Sequence, residues 1–185
     1  AKRLDDIGIH YIEGGWPGSN PRDMHFFEIA RREVFRHARL TAFGSTRRPG
    51  LSVGNDPNLT ALVESGAPVV AIFGKTWDLH VQKIMENTLA ENLDMIRDTV
   101  AYLKQNDREV VYDAEHFFDG YADNRSYALE TLQAAVTAGA DWVVLCDTNG
   151  GSLPHDVDAA TRIVAERLTA WCAQNGRPVP GIGIH

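Results

Sequence analysis

The chain has 185 residues, 44% hydrophobic and 23% charged, with a formal net charge of −7 at pH 7. That length supports one domain over residues 1–185 with a substantial core, and the composition is ordinary for a globular protein. The negative balance argues against nucleic acid or an anionic membrane held by bulk electrostatics, and leaves room for a local basic pocket. Cys146 and Cys172 fit no zinc or redox spacing, so a reducing cytoplasm is the expected compartment. The opening AKRLDDIGIHYIEGG has no signal-peptide core, and no run is apolar and long enough to span a membrane.

Taken in chain order, short β-rich runs alternate with longer helical patterns. Residues 2–7 read as the end of a helix and 9–13 as a strand. Then come a helix over about 21–37, a strand at 39–43, a helix at 57–65 and a strand at 68–73. A long helix is predicted over 79–105, where Ile84, Leu89, Leu93, Ile96, Val100 and Leu103 recur at helical steps as one buried stripe. A strand at 109–114, a helix at 125–138, a strand at 141–146, a helix at 154–174 and a strand at 180–185 complete the pattern. Asn20-Pro21 and Asp56-Pro57 each set a capping side chain before a proline that needs no donor, and Gly66 and Gly139 follow two helices where a left-handed residue is wanted.

Alternating β and α units predict a parallel sheet. Glu13, Ser45-Thr46-Arg47, Lys75-Thr76, Glu115-His116, Asp147-Thr148-Asn149 and His185 all fall at or just after strand C-termini. A (β/α)8 barrel gathers that face into one pocket, whereas an open doubly wound sheet gathers only the residues near its switch point. The expected class is therefore α/β, a (β/α)8 TIM barrel. Six strands are visible instead of eight, so the sequence reads as strands two to seven, incomplete at both ends.

Several segments suit chemistry. Glu115, in VVYDAEHFFDG, is followed by two aromatics that could shield a carboxylate from water and make it a better proton acceptor; a solvated ion-paired glutamate is the alternative. CDTNGGSLP (residues 146–154) offers backbone N–H groups, the Thr148 hydroxyl and a helix start, which suit a carboxylate or phosphate; a plain glycine turn would look the same. The arginines of FGSTRRPG could hold an anionic substrate or simply be solvated. His185, at a strand end, is a metal-ligand candidate. His80 and His116 sit in strand-end loops as supporting groups. His10, His25, His37 and His155 read as surface or packing residues, Cys146 as a buried small apolar residue, and Trp16, Phe26 and Phe27 as packing. From residues alone the expectation is an anion-binding α/β enzyme with a buried carboxylate base.

In order along the chain, YIEGGWPGSNPRD, AFGSTRRPG, IFGKTWDLHV, EVVYDAEHFFDGY and DWVVLCDTNGGSLP resemble the citramalate synthases. These belong to a larger group with isopropylmalate synthases, homocitrate synthases and hydroxymethylglutaryl-CoA lyases. The likeness covers essentially all 185 residues, and the Glu-Gly-Gly-Trp-Pro-Gly and Ala-Glu-His-Phe-Phe-Asp-Gly blocks mark the citramalate branch. The resemblance implies a metal-dependent condensation of acetyl-CoA with pyruvate, giving (R)-citramalate and CoA. It implies Glu115 as the group removing a methyl proton, Thr148 as a donor to the keto-acid carboxylate and Glu13 as a pocket residue, with Arg125 and Asn149 as neighbours. It also implies His185 as a ligand of a divalent cation, Mg²⁺ or Mn²⁺ with Zn²⁺ as a third candidate, and a homodimer for the full-length enzyme.

The family's first-strand Asp ligand, the arginine beside it and the second histidine of a His-x-His have no counterpart here. The chain as written is therefore expected to bind the metal poorly, to be inactive and to expose strand edges. Kept beside the main reading are a synthase for a larger keto acid such as 2-isopropylmalate synthase, a lyase running the carbon–carbon bond backwards, and a non-catalytic fragment or subunit.

Overall fold

A computed structural model describes residues 1–185. Its six strands are β1 (Tyr11–Glu13), β2 (Arg39–Ser45), β3 (Val69–Lys75), β4 (Glu109–Glu115), β5 (Trp142–Leu145) and β6 (Gly181–Ile184), and all neighbours run parallel in sequence order. Helices α1 (Lys2–Asp6), α2 (Pro21–Ala30), α3 (Pro57–Glu64), α4 (Asp78–Lys83), α5 (Leu89–Gln105), α6 (Phe117–Asp123), α7 (Arg125–Ala138) and α8 (Pro154–Asn175) fill the connections. No helix is long and apolar enough to cross a membrane.

The period-two alternation of each strand sorts residues onto two faces. In β4, Val110, Tyr112 and Ala114 are fully buried, packed in one cluster with Ile96, Val100, Leu132, Ala135 and Val164 from the helical layer. Their neighbours Val111 and Asp113 face the other way, into a cavity shared with Thr41, Phe43, Ala71 and Val144. The sheet is rolled about that cavity. Tyr11 of β1 reaches across it to hydrogen-bond Glu109 of β4, and its ring meets Trp142 of β5 edge-on at 6.2 Å. Arg39 pairs with the same Glu109, so polar groups close the N-terminal floor. The twist of parallel strands drives this curl, and β1 and β6 remain the two edges of a partly closed barrel.

Local signals explain most boundaries. Asn20 accepts the Asp23 N–H and Asp56 that of Asn58, each ahead of a proline. Gly139 takes φ +102° just past α7.

Three expectations need correction. The helix predicted over 21–37 stops at Ala30, because buried Asp5 accepts the N–H groups of Arg36, His37 and Ala38 and holds them in a non-helical strap. Those three donors also pull the Asp5 carboxyl down to about 2. The single helix predicted over 79–105 is two. Glu86 takes φ +50°, Thr88 caps α5 by accepting the Glu91 N–H, and Ile84 is exposed instead of joining the stripe. Thr88-Leu89-Ala90-Glu91 is a capping-box spacing inside that run. Helix α6 has no counterpart among the predicted elements. It packs so closely that a side chain at Gly120 would lie 2.8 Å from the Thr76 carbonyl oxygen.

Candidate active site

Strands β2, β3 and β4 each run to the polar residue first read as loop, which places those groups on rigid backbone at the C-terminal mouth. Lys75 and Glu115 are directly opposite in the β3–β4 register, and the ammonium pairs with the carboxylate. Both side chains are roughly three-quarters buried. The expected aromatic shield of Glu115 is absent. Phe117 and Phe118 turn into the helical layer, where Phe117 stacks on Tyr121, and it is Lys75 that faces the carboxylate.

The carboxylate that burial does perturb lies two residues earlier. Asp113 faces the interior cavity of about 470 Å³ together with Glu13 and His185. Removal from water, then the Glu13 charge, pushes its carboxyl up to about 7, with His185 opposing. Glu13 is raised for the same first reason and again opposed by His185, although it retains solvent access at the β1 edge. Sequence reasoning passed over Asp113. The signal was its i−2 relation to Glu115, which in a strand puts both on the inward face.

Thr148 follows β5, and its Oγ1 accepts the His116 N–H at 2.9 Å. Because that bond uses a lone pair, the hydroxyl proton stays free to donate to a ligand. Asp147 holds the loop by accepting from Gly151 and Ser152, and Gly150 closes its turn at φ +65°. Asn149 is exposed on that turn. Arg125 is not brought to the mouth. It starts α7, lies over the Tyr121 ring at 4.7 Å and lines a separate outer groove with Phe118, Ser152 and Asp156. Of the two loop arginines, Arg47 is buried and committed to Glu91 and Asp98, so it is structural. Arg48 is exposed.

Trp16, read as packing, does pack, and also walls the mouth. It meets Phe43 and Phe73 edge-on at 5.8 Å each, those two rings stack at 5.7 Å, and its Nε1 donates to Asn58. Cys146 is buried, and burial, then Asp113 and Glu115, drives its thiol up to about 12, away from nucleophilic use.

No three His, Cys, Asp or Glu side chains converge as a ready-made cage for a metal ion. His185 is the imidazole at the cavity, so these residues offer a donor to a cation without enclosing one.

The family model described as HMGL-like matches residues 1–175. The chain belongs to the HMGL-like family. Among relatives of this HMGL-like chain, the (R)-citramalate synthase of Aquifex aeolicus is 59% identical over 168 residues, 91% of this chain and 32% of that protein. The 2-isopropylmalate synthase of Sulfolobus acidocaldarius is 27% identical over 165 residues, 89% of this chain and 40% of its own length. The chain spans about a third of the length of the citramalate synthases it matches. The crystal structure of HMG-CoA lyase from Bacillus subtilis aligns at TM-score 0.69 and 16% identity, over 100% of this chain and 58% of that one. The shared architecture is the HMGL-like TIM barrel, of which these six strands form the rolled wall.

Proposed function

We propose that this chain forms the keto-acid side of the active site of a citramalate synthase, which condenses acetyl-CoA with pyruvate and releases CoA. The observation that carries the reading is the convergence of the Lys75–Glu115 pair, the Thr148 hydroxyl and the Glu13/Asp113/His185 cavity at one strand-end mouth. Identity of 59% to a citramalate synthase against 27% to an isopropylmalate synthase supports pyruvate as the acceptor.

In this reading Glu115 accepts a proton from the thioester methyl. A methyl next to a thioester is a weak acid, so a positioned base is required, and the Lys75 pairing fixes where the Glu115 carboxylate stands. Thr148 donates to the acceptor's carboxylate through its free hydroxyl proton. The rings of Trp16, Phe43 and Phe73 leave an apolar surface beside the acceptor's methyl group. His185 is assigned as one donor to a divalent cation, which would polarise the acceptor carbonyl. Among these residues no cage for that ion is complete.

The test is release of CoA by the full-length protein given acetyl-CoA with pyruvate, 2-ketoisovalerate or 2-ketoglutarate in parallel. Pyruvate is expected to be turned over fastest. Faster turnover of 2-ketoisovalerate would replace this reading with an isopropylmalate synthase.

A further inference from the structure

His116, immediately after Glu115, is held in a way the condensation does not use. It takes φ +56° and ψ +37°, a left-handed conformation that a residue other than glycine keeps only where its surroundings fix it. Three contacts fix it. Its backbone N–H donates to Thr148 Oγ1, its Nδ1 stands 2.9 Å from Asp119 Oδ2, and its ring meets His80 edge-on at 4.5 Å. Trp77 lies against both rings, at 4.8 Å from His80 and 6.0 Å from His116. The His116 side chain is 13% exposed, so the ring is largely sequestered but not sealed from solvent.

This is the arrangement of an oriented base. A carboxylate on Nδ1 keeps the proton there and leaves the Nε2 lone pair to accept another, and the carboxylate stabilises the imidazolium that forms. The charged and titratable groups around it are Asp119 on its own helix, Glu115 on β4, Lys75 on β3, His80 on α4 and Asp147 after β5. Lys75 is matched by Glu115, and Asp147 is turned into its own loop. His80 is held toward its neutral form, by burial first and then by His116 and Lys75.

The proposed condensation also leaves work undone. Its immediate product is still a thioester, and Glu115 carries the methyl proton until the new alkoxide takes it. Releasing CoA requires water to be activated by some group. We propose that His116, oriented by Asp119, is the general base for hydrolysis of that thioester. Water oxygen attacks the thioester carbonyl carbon while a water proton passes to His116 Nε2. The tetrahedral adduct then expels sulfur with the C–S bonding pair, and the imidazolium returns its proton to the thiolate. One water and one thioester give one carboxylic acid and one thiol, with no other reactant. The inference rests on the condensation reading above, and its test separates the two.

His116→Asn in the full-length protein is the variant of choice, since asparagine tolerates the left-handed conformation and isolates the loss of the imidazole. Acetyl-CoA and pyruvate are followed by free thiol and by mass spectrometry of acyl-CoA esters, and preformed citramalyl-CoA is supplied separately. The expected result is condensation within about threefold of the unsubstituted protein, accumulation of the condensed acyl-CoA, and CoA release slower by about 10²–10⁴-fold. Asp119→Asn is expected to move the acidic limb of the CoA-release pH profile while His116→Asn removes it, and that shift decides the matter if His116→Asn fails to fold. CoA release from citramalyl-CoA within threefold of normal in His116→Asn would overturn the proposal, as would equal loss of both steps with no accumulated ester. If the unsubstituted protein hydrolyses citramalyl-CoA but never condenses acetyl-CoA with pyruvate, the functional reading falls while the role of His116 stands.

Discussion

At the scale of single residues, the mouth divides its polar groups by what each faces. Glu115 meets Lys75, and Glu115→Gln keeps size and hydrogen bonding while removing basicity. It is expected to lower kcat by about 10²–10⁴-fold with little change in pyruvate affinity; steady-state kinetics showing less than about a threefold loss would assign the proton to another group. Thr148→Val removes both the donor to the substrate and the acceptor of the His116 N–H. A hydrogen bond to a charged group is worth roughly 1.5–3 kcal/mol, so KM for pyruvate should rise well above that for acetyl-CoA, and Thr148→Ser should restore it. Asp113 faces the cavity with a folded value of about 7 against an ordinary 3.8. A raised carboxyl means the folded state binds more protons, so this group costs nothing below about pH 4. The cost grows through the interval and is full above pH 7. Asp113→Asn mimics the protonated form and is expected to raise Tm at pH 8, with the gain shrinking toward pH 4.5. Thermal melts at the two pH values, with chelator present, check this, and an equal shift at both would refute it.

At the scale of elements, what was legible in the sequence followed from local chemistry. Proline after a capping residue, glycine after a helix and polar residues after β-rich runs each act over a few positions, and the elements they announced are present. What was missed depended on distant partners. The early end of α2 needs Asp5, about 30 residues away in sequence, and α6 needs Gly120 against the Thr76 carbonyl. Asp113 was hidden because a lone acid inside a β-rich run becomes informative only when strand register shows which face it shares. Gly181 was likewise read only as strand. It lies opposite Trp142 in the β5–β6 register, and a Cβ there would fall 2.2 Å from the indole ring. The glycine therefore lets the ring lie flat over the edge strand. Gly181→Ala forces a rigid ring to move, an overpacking cost of typically about 1–3 kcal/mol. Lower Tm and altered tryptophan emission are the expected outcomes, and an unchanged melt would mean β6 simply shifts away.

At the scale of the molecule, six parallel strands in sequence order roll until β1 side chains touch β4 and β5, yet β1 and β6 each pair on one side only. Strand ends rich in polar residues made the barrel class legible, because only a rolled sheet brings all of those ends to one mouth. The extent of closure was not legible, since side chains bridging the interior, such as Tyr11 and Glu109, are far apart in the chain. The edges carry a physical consequence. Unpaired strand N–H and C=O groups template pairing with another chain, and natural edges are protected by charge, proline or covering segments. Here β6 is Gly-Ile-Gly-Ile with Ile184 half exposed, and β1 begins at exposed Tyr11 after exposed Ile9. Neither carries a lysine. Residues 1–185 expressed alone are therefore expected to self-associate, eluting in size-exclusion chromatography above the 20.4 kDa of one chain. Ile184→Lys places a charge on the β6 edge and is expected to shift the elution toward monomer without lowering helical content by circular dichroism. A monodisperse monomer for both forms, melting cooperatively, would mean the rolled sheet shields its own edges.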